Sequence, residues 1–224
     1  MKFLHTENQM VCAEILGARI GGELGAGKRV LWLIPGGSNI PLAVHTMEIV
    51  CAESAEENLA HLTITLTDER YGDLGHSDSN WLQLADCGFR FDCINTVPVL
   101  RSKSAEETCT AWGDDLKKLF GSVDCVIGQF GIGPDGHIAG VLPHSIGTQS
   151  LAPTVVYSAG KFTRISLTLS QIQKISVAYA FVFGAGKRAV LEKLQEGESS
   201  LDDLPAQVLQ LVNEAFIYQD QITP

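Results

Sequence analysis

Val123-Asp124-Cys125-Val126-Ile127-Gly128-Gln129-Phe130 runs directly into Gly131-Ile132-Gly133-Pro134-Asp135-Gly136-His137-Ile138-Ala139. A short apolar run that ends in glycines reads as a buried strand opening into a tight loop. In an open α/β sheet, the loops at the carboxyl ends of strands are where ligands bind. His137 is thus a titratable group placed where a ligand would sit, and Asp135 is near enough to influence its tautomer and basicity. Alone, an Asp-Gly-His triplet reads first as a turn whose side chains satisfy local backbone groups. The neighbouring segments decide between these readings.

Outward from this stretch, helix-like and strand-like patterns alternate along the chain. Residues 8–24 carry Met10, Val11, Ile15, Leu16 and Ile20 at helical spacing, and Arg29–Ile34 is a buried-strand run. A helix is expected over Pro41–Ala52, with Pro41 in its first turn. A strand follows at His61–Thr67, then a loop over Asp68–Ser79. Ser104 and Glu107 have capping-box spacing at the head of a helix reaching Phe120. Further strands are expected at Arg164–Leu169 and Ile175–Phe183. A helix opens at Gly184-Ala185-Gly186-Lys187, a short one spans Leu204–Leu211, and Phe216-Ile217-Tyr218 reads as an edge strand. The expected fold is therefore α/β: an open, mainly parallel, Rossmann-like sheet with helices on both faces, a three-layer sandwich. No repeat or linker divides the chain, so one domain is expected over residues 1–224.

Composition narrows the function. Sixteen Lys and Arg against 26 Asp and Glu give a net charge of -10, which argues against bulk nucleic-acid binding. An anionic ligand would need local cations to hold it. The six cysteines form no C-x-x-C pair, and the six histidines show no ligand spacing. Neither a metal site nor a disulfide framework is expected, and reduced thiols fit a cytoplasmic protein. No apolar run is long enough to span a membrane, and residues 1–8 lack an apolar signal core.

Several segments could carry chemistry. Pro35-Gly36-Gly37-Ser38-Asn39 lies between a strand and a helix, where glycines let backbone N–H groups approach an anion and Ser38 adds a hydroxyl. It completes neither a P-loop nor a dinucleotide fingerprint. Thr67-Asp68-Glu69-Arg70-Tyr71 is either a solvated loop or a site wall, in which Arg70 offers a planar fork and Asp68 or Glu69 positions it. Ser77-Asp78-Ser79-Asn80 looks like a helix cap, with Asn80 a polar contact for substrate. Lys187 sits in a helical first turn, where a cation is unfavourable by about 0.3–1 kcal/mol unless an anion binds there. Arg164 opens a strand and fits a surface position as well as a site. His5, His45, His61, His76 and His144 lack settings comparable to that of His137.

In this order, the pieces resemble the 6-phosphogluconolactonase family, within the wider group that includes glucosamine-6-phosphate deaminases. The resemblance runs from about Val30 to Asp220. It rests on residues 35–39, Asp-Glu-Arg at 68–70, Ser-Asn at 79–80, Gly-x-Gly-x-Asp-Gly-His at 131–137, Arg-Ile-Ser-Leu-Thr at 164–168, Gly-x-Gly-Lys at 184–187 and Leu-Pro-Ala-Gln at 204–207. Deaminases that resemble this chain follow Gly-His-Ile-Ala with Phe-Asn-Glu-Pro. Here the matching residues are Gly140-Val141-Leu142-Pro143, and Leu142 cannot transfer a proton. Two departures from the family stand out: Pro35 and Asn39 replace Ser and Thr in the phosphate loop, and Gly140-Val141 replaces Ser-Leu.

The resemblance implies hydrolysis of 6-phospho-D-glucono-1,5-lactone to 6-phosphogluconate, in the oxidative pentose phosphate pathway. His137 would be the general base, Asp135 its orienting partner, and Arg70 the stabiliser of the oxyanion. Gly36, Gly37, Ser38, Arg164 and Lys187 would hold phosphate, with Asp68 and Asn80 also lining the substrate. No metal or organic cofactor is implied, and the expected partner is a small sugar phosphate bound by a monomer or homodimer. Glucosamine-6-phosphate deaminase activity and a non-catalytic sugar-phosphate sensor are the alternatives.

Overall fold

Residues 1–222 are described by the computed structural model; Thr223 and Pro224, the end of the expected single-domain span, lie outside the described residues. In chain order the first elements are β1 (Lys2–His5), α1 (Met10–Gly25), β2 (Val30–Ile34), α2 (Ile40–Glu53), α3 (Glu56–Leu59), β3 (Leu62–Leu66), β4 (Asp68–Arg70), α4 (Asn80–Asp86) and β5 (Asn95–Thr96). They are followed by α5 (Ala105–Ser122), β6 (Cys125–Phe130), β7 (Thr154–Ala159), β8 (Phe162–Leu167), α6 (Leu169–Ile172), β9 (Val177–Val182), α7 (Arg188–Glu196) and β10 (Glu214–Gln219).

Every residue of β2, β6 and β9 is buried. Strands covered on both faces are largely apolar, which is why these three read as hydrophobic runs, with Gln129 of β6 the polar exception. They lie at the centre of a seven-stranded sheet of order β1-β10-β9-β6-β2-β3-β5, and all its pairings are parallel. Helices surround it. Trp32 and Phe130 are fully buried side chains of the core, each worth roughly 1.5–3 kcal/mol relative to exposure. α5 begins as its sequence dictates: the Ser104 hydroxyl accepts from Glu107 N at 3.2 Å and the Glu107 carboxylate accepts from Ser104 N at 3.1 Å. None of the helices among the described residues is long and apolar enough to cross a membrane.

Three expectations change. Asp68–Arg70 is not loop but strand β4, and Arg164–Leu167 belongs to β8; with β7 they form a separate antiparallel sheet of order β4-β8-β7. Charged residues form β4 because its partners lie far along the chain and supply burial that no local pattern announces. Leu169 is not strand, since Thr168 caps α6 by accepting from Gln171 N at 3.2 Å. Phe216–Tyr218 is not an edge: β10 is covered by β1, whose residues Lys2–His5 form the true edge.

One carboxylate joins the small sheet to α4. Glu69 is fully buried. Its Oε1 accepts from Arg70 N and Asn80 N, both at 2.7 Å, and its Oε2 from Ser79 Oγ at 2.9 Å and Trp81 N at 3.1 Å. Burial pushes this carboxyl up, and the donors only partly offset that. The donors nevertheless depend on it, since an unsatisfied buried N–H costs about 1–3 kcal/mol. In Glu69→Gln the amide nitrogen cannot accept, so donors are stranded while the charge penalty is relieved. A net loss of about 2 kcal/mol is expected, read as a lower urea midpoint at unchanged slope.

Candidate functional site

Strands β2 and β6 are parallel neighbours, paired from Val30↔Cys125 to Leu33↔Gly128. Their carboxyl ends therefore open at the same edge of the sheet, at the point where the strand order reverses direction. The loops that follow, Pro35–Asn39 and Gly131–Ala139, form two walls of a cleft of about 230 Å³. The small sheet supplies Asp68, Arg70 and Arg164, α4 supplies Asn80, and Lys187 closes the side next to β9. Gly36, Gly37, Ser38, Asp68, Arg70, Asn80, His137, Arg164 and Lys187 are thus gathered in one place. Of the residues given catalytic or binding roles from the family resemblance, only Asp135 stands outside the lining, bonded to His137.

The Asp135–His137 contact fixes the state of the imidazole. Asp135 Oδ1 lies 2.6 Å from His137 Nδ1 and also accepts from His137 N at 3.3 Å. A carboxylate only accepts, so Nδ1 carries the proton and Nε2 keeps its lone pair free for the cleft. Burial pushes the Asp135 carboxyl up, but the charge and the N–H groups of His137 outweigh it and hold the group below the usual carboxylate range. The loop around this pair is tightly wound. Gly133 N donates to His137 O at 2.9 Å, Ile138 bridges to both Ile132 and Val141, and Ala206 N ties Gly136 O at 3.0 Å. Ala139 adopts a left-handed φ of 52°, a conformation that costs a non-glycine residue of order 1–3 kcal/mol unless its surroundings impose it.

Across the cleft two arginines face each other. Arg70 and Arg164 are direct partners in the β4–β8 register. Both lie over the Phe162 ring, 5.4 and 5.6 Å from its centroid. Arg70 Nη1 donates to Asp78 O at 3.1 Å, but the buried Nε of each arginine has no partner among the described residues. Like charges directly opposite in a sheet are destabilising, and an unmet guanidinium donor adds to that. An anion between them would relieve both. Lys187 precedes α7, and its Nζ donates to Ile132 O at 2.5 Å. Burial pushes its ammonium down from the usual lysine range, with the charge of Asp135 opposing. Among the described residues no group of three or more His, Cys, Asp or Glu is placed to hold a metal.

The phosphate-loop departures have structural explanations. Pro35 is buried at the end of β2, before the turn that leads into α2. Asn39 is a buried side chain of the cleft lining: its Nδ2 donates to Phe181 O at 3.3 Å, and its backbone carbonyl accepts from Gln129 Nε2 at 3.3 Å. Phe162 and Tyr157 also shape the site without having been foreseen, and Glu69 and Ser166, quoted from sequence only as a candidate partner of Arg70 and as part of a motif, do so as well. Phe162 had one available signal, since it lies two residues before Arg164 and so on the same strand face. Tyr157 had none. His144 lies away from the cleft, exposed and 2.9 Å from Asp202 Oδ2.

Residues 9–218 match the family described as glucosamine-6-phosphate isomerases/6-phosphogluconolactonase. No curated protein sequence matches the chain. Among solved structures, the 6-phosphogluconolactonase of Thermotoga maritima superposes with a TM-score of 0.76 at 18% identity, covering 98% of this chain and 99% of that one. The Trypanosoma brucei 6-phosphogluconolactonase gives 0.78 at 17% identity, covering 98% and 95%. A monomeric glucosamine-6-phosphate deaminase gives 0.81 at 19% identity, covering 98% and 97%. At these identities the superpositions speak for the fold alone.

One contact in the cleft can be tested without any ligand. Gly36 has ordinary extended backbone, φ -86° and ψ -169°, so alanine is allowed there conformationally. A Cβ, however, would lie 2.0 Å from Asn80 Oδ1. Overpacking of this kind costs typically 1–3 kcal/mol. Gly36→Ala is expected to lose about that much in urea denaturation, and most of the loss should vanish when the same change is made in Asn80→Ala. Equal losses in both backgrounds would mean that Asn80 is not the obstacle.

Proposed function

The chain belongs to the family of glucosamine-6-phosphate isomerases and 6-phosphogluconolactonases, and we propose that it is a lactonase, hydrolysing 6-phospho-D-glucono-1,5-lactone to 6-phosphogluconate in the oxidative pentose phosphate pathway. The observation that carries this reading is the Asp135–His137 pair, with Nδ1 held at 2.6 Å and Nε2 free in a cleft that also holds three cations. Leu142, where the deaminases resembling this chain carry glutamate, offers no proton-transfer group for opening an amino sugar.

In this mechanism the phosphate lies against the backbone of Gly36 and Gly37, the Ser38 hydroxyl, Arg164 and Lys187. Water attacks C1 as its proton passes to His137 Nε2. Asp135 stabilises the imidazolium that forms, and Arg70 faces the charge developing on the carbonyl oxygen. Asp68 and Asn80 line the sugar. When the tetrahedral species collapses, the bond from C1 to the ring oxygen breaks and the imidazolium returns its proton to that oxygen. The carboxylic acid produced then ionises, releasing one proton. A positioned base of this kind contributes typically 10²–10⁴-fold.

His137→Ala is accordingly expected to lower kcat by about 10²–10⁴-fold, measured as 6-phosphogluconate formation above the spontaneous rate, while 6-phosphogluconate still binds. Retention of near-full rate would remove His137 from the mechanism. Release of ammonia from glucosamine 6-phosphate, without lactone hydrolysis, would move the assignment to the deaminase side of the family.

Lys187 gives the cleft a pH dependence of definite sign. Its ammonium is pushed down by burial, so the cation is lost as pH rises through a value below that of an ordinary lysine. Calorimetric Kd values for 6-phosphogluconate should therefore rise in alkaline solution, earlier than an exposed lysine would titrate. Lys187→Met should bind more weakly throughout and lack this rise. The same rise in the variant would assign the titration to another group.

A further inference from the structure

We propose that Tyr157 and Ser166 are positioning residues, two hydroxyls of the small antiparallel sheet that grip Gly140 from both ends and so fix the direction of the His137 imidazole; the inference rests on the function proposed above. Neither residue lines the cleft. Ser166 is fully buried on β8, and its Oγ accepts from Gly140 N at 2.9 Å while donating to Leu167 O at 2.8 Å. Tyr157 on β7 donates its hydroxyl proton to Gly140 O at 2.5 Å, and the Tyr157 hydroxyl oxygen accepts from Leu142 N at 3.1 Å. Each hydroxyl has one proton, and each spends it in one direction. The pattern of donors therefore has a single solution.

What they hold is the weakest part of the loop. Ala139, in its left-handed conformation, lies between His137 and the gripped residue. Nothing in the Ala side chain favours that conformation; the paired backbones of Ile138 and Val141 close the turn that requires it, and the held peptide at Gly140 fastens that turn to the small sheet. Gly140 comes too close to β8 for any side chain: a Cβ there would lie 2.9 Å from Ser166 Cβ and 3.0 Å from Asp68 Cβ.

The same two rows of the sheet carry the opposite wall of the cleft. Asp68, Ser166 and Val155 form one cross-strand row, and Arg70, Arg164 and Tyr157 form the next. The hydroxyls that hold the His137 loop are thus in fixed register with the two arginines and Asp68. The small sheet sets the spacing between general base and anion-binding groups as one rigid unit, and displacements on the order of 1 Å at such a spacing can cost about 10²-fold in rate.

The test uses Tyr157→Phe and Ser166→Ala, which remove one oxygen each, so that failure of one variant to fold leaves the other. Lactone hydrolysis is measured together with the proton resonance of His137 Nδ1–H, identified by its absence in His137→Ala. Each variant is expected to lose about tenfold in kcat, with KM within about twofold of wild type, and to shift or broaden the ring resonance. The double variant should lose less than the product of the two, because both hydroxyls act on one residue. Unchanged kcat, or a changed KM with an unmoved resonance, overturns the proposal. Should the wild-type protein not hydrolyse the lactone, the function assignment fails, and the resonance alone decides whether the hydroxyls hold His137.

Discussion

Parallel hydrogen bonding between β2 and β6 is the constraint on which the rest of the cleft is built. Parallel strands cannot be joined by a tight turn, so the chain must leave each at one edge and return by a crossover. It leaves β2 toward β3 and β5, then comes back through α5 to β6 on the other side of β2. The two loops at those carboxyl ends diverge from a shared base, and a crevice opens between them. Because β2, β6 and β9 are buried on both faces, charged groups are kept off these strands, and Gln129 of β6 is spent on the backbone of Asn39. The chemistry of this sheet is confined to the loops beyond Ile34, Phe130 and Val182.

The central sheet provides only half of the site. The other half comes from the antiparallel sheet of β4, β8 and β7, which brings Asp68, Arg70 and Arg164 across from the His137 loop. Glu69 anchors that sheet to α4, and through it Asn80 is carried against Gly36. A buried carboxylate is an expensive anchor, as its upward-pushed titration shows. Its four donors nonetheless fix the direction of β4, so that Arg70 and Asp68 face the cleft. Rigid hydrogen bonding in one place thereby sets charge geometry in another.

How much of this was legible beforehand follows from where each signal resides. Val30–Ile34 and Cys125–Phe130 declared themselves because burial on both faces leaves a predominantly apolar run, broken in the second only by Gly128 and Gln129. Ser104 and Glu107 declared a helix start because capping is settled within four residues. The Asp135–His137 pair was readable for the same reason: both partners lie in one turn. The strand character of Asp68-Glu69-Arg70 was not, since its partners are almost a hundred residues away and its burial is met by charged hydrogen bonds instead of apolar side chains. β1 escaped because Lys2–His5 is half exposed and carries too little pattern, and its absence made β10 look like an edge. Asn39 seemed a lost phosphate donor, yet its amide is committed to Phe181, a contact visible only in space.

The two arginines that face each other across β4 and β8 have a consequence beyond ligand affinity. The juxtaposition of the two guanidinium groups exists only in the folded chain, so the fold carries a repulsion that the unfolded chain escapes. An anion held there binds the native state alone and shifts the folding equilibrium by mass action, by about 2.7 kcal/mol at a hundred times its Kd. That is a sizeable share of the roughly 5–15 kcal/mol that holds a domain together. The lifetime of a protein with such a cleft would in that sense be coupled to the supply of the anion bound there.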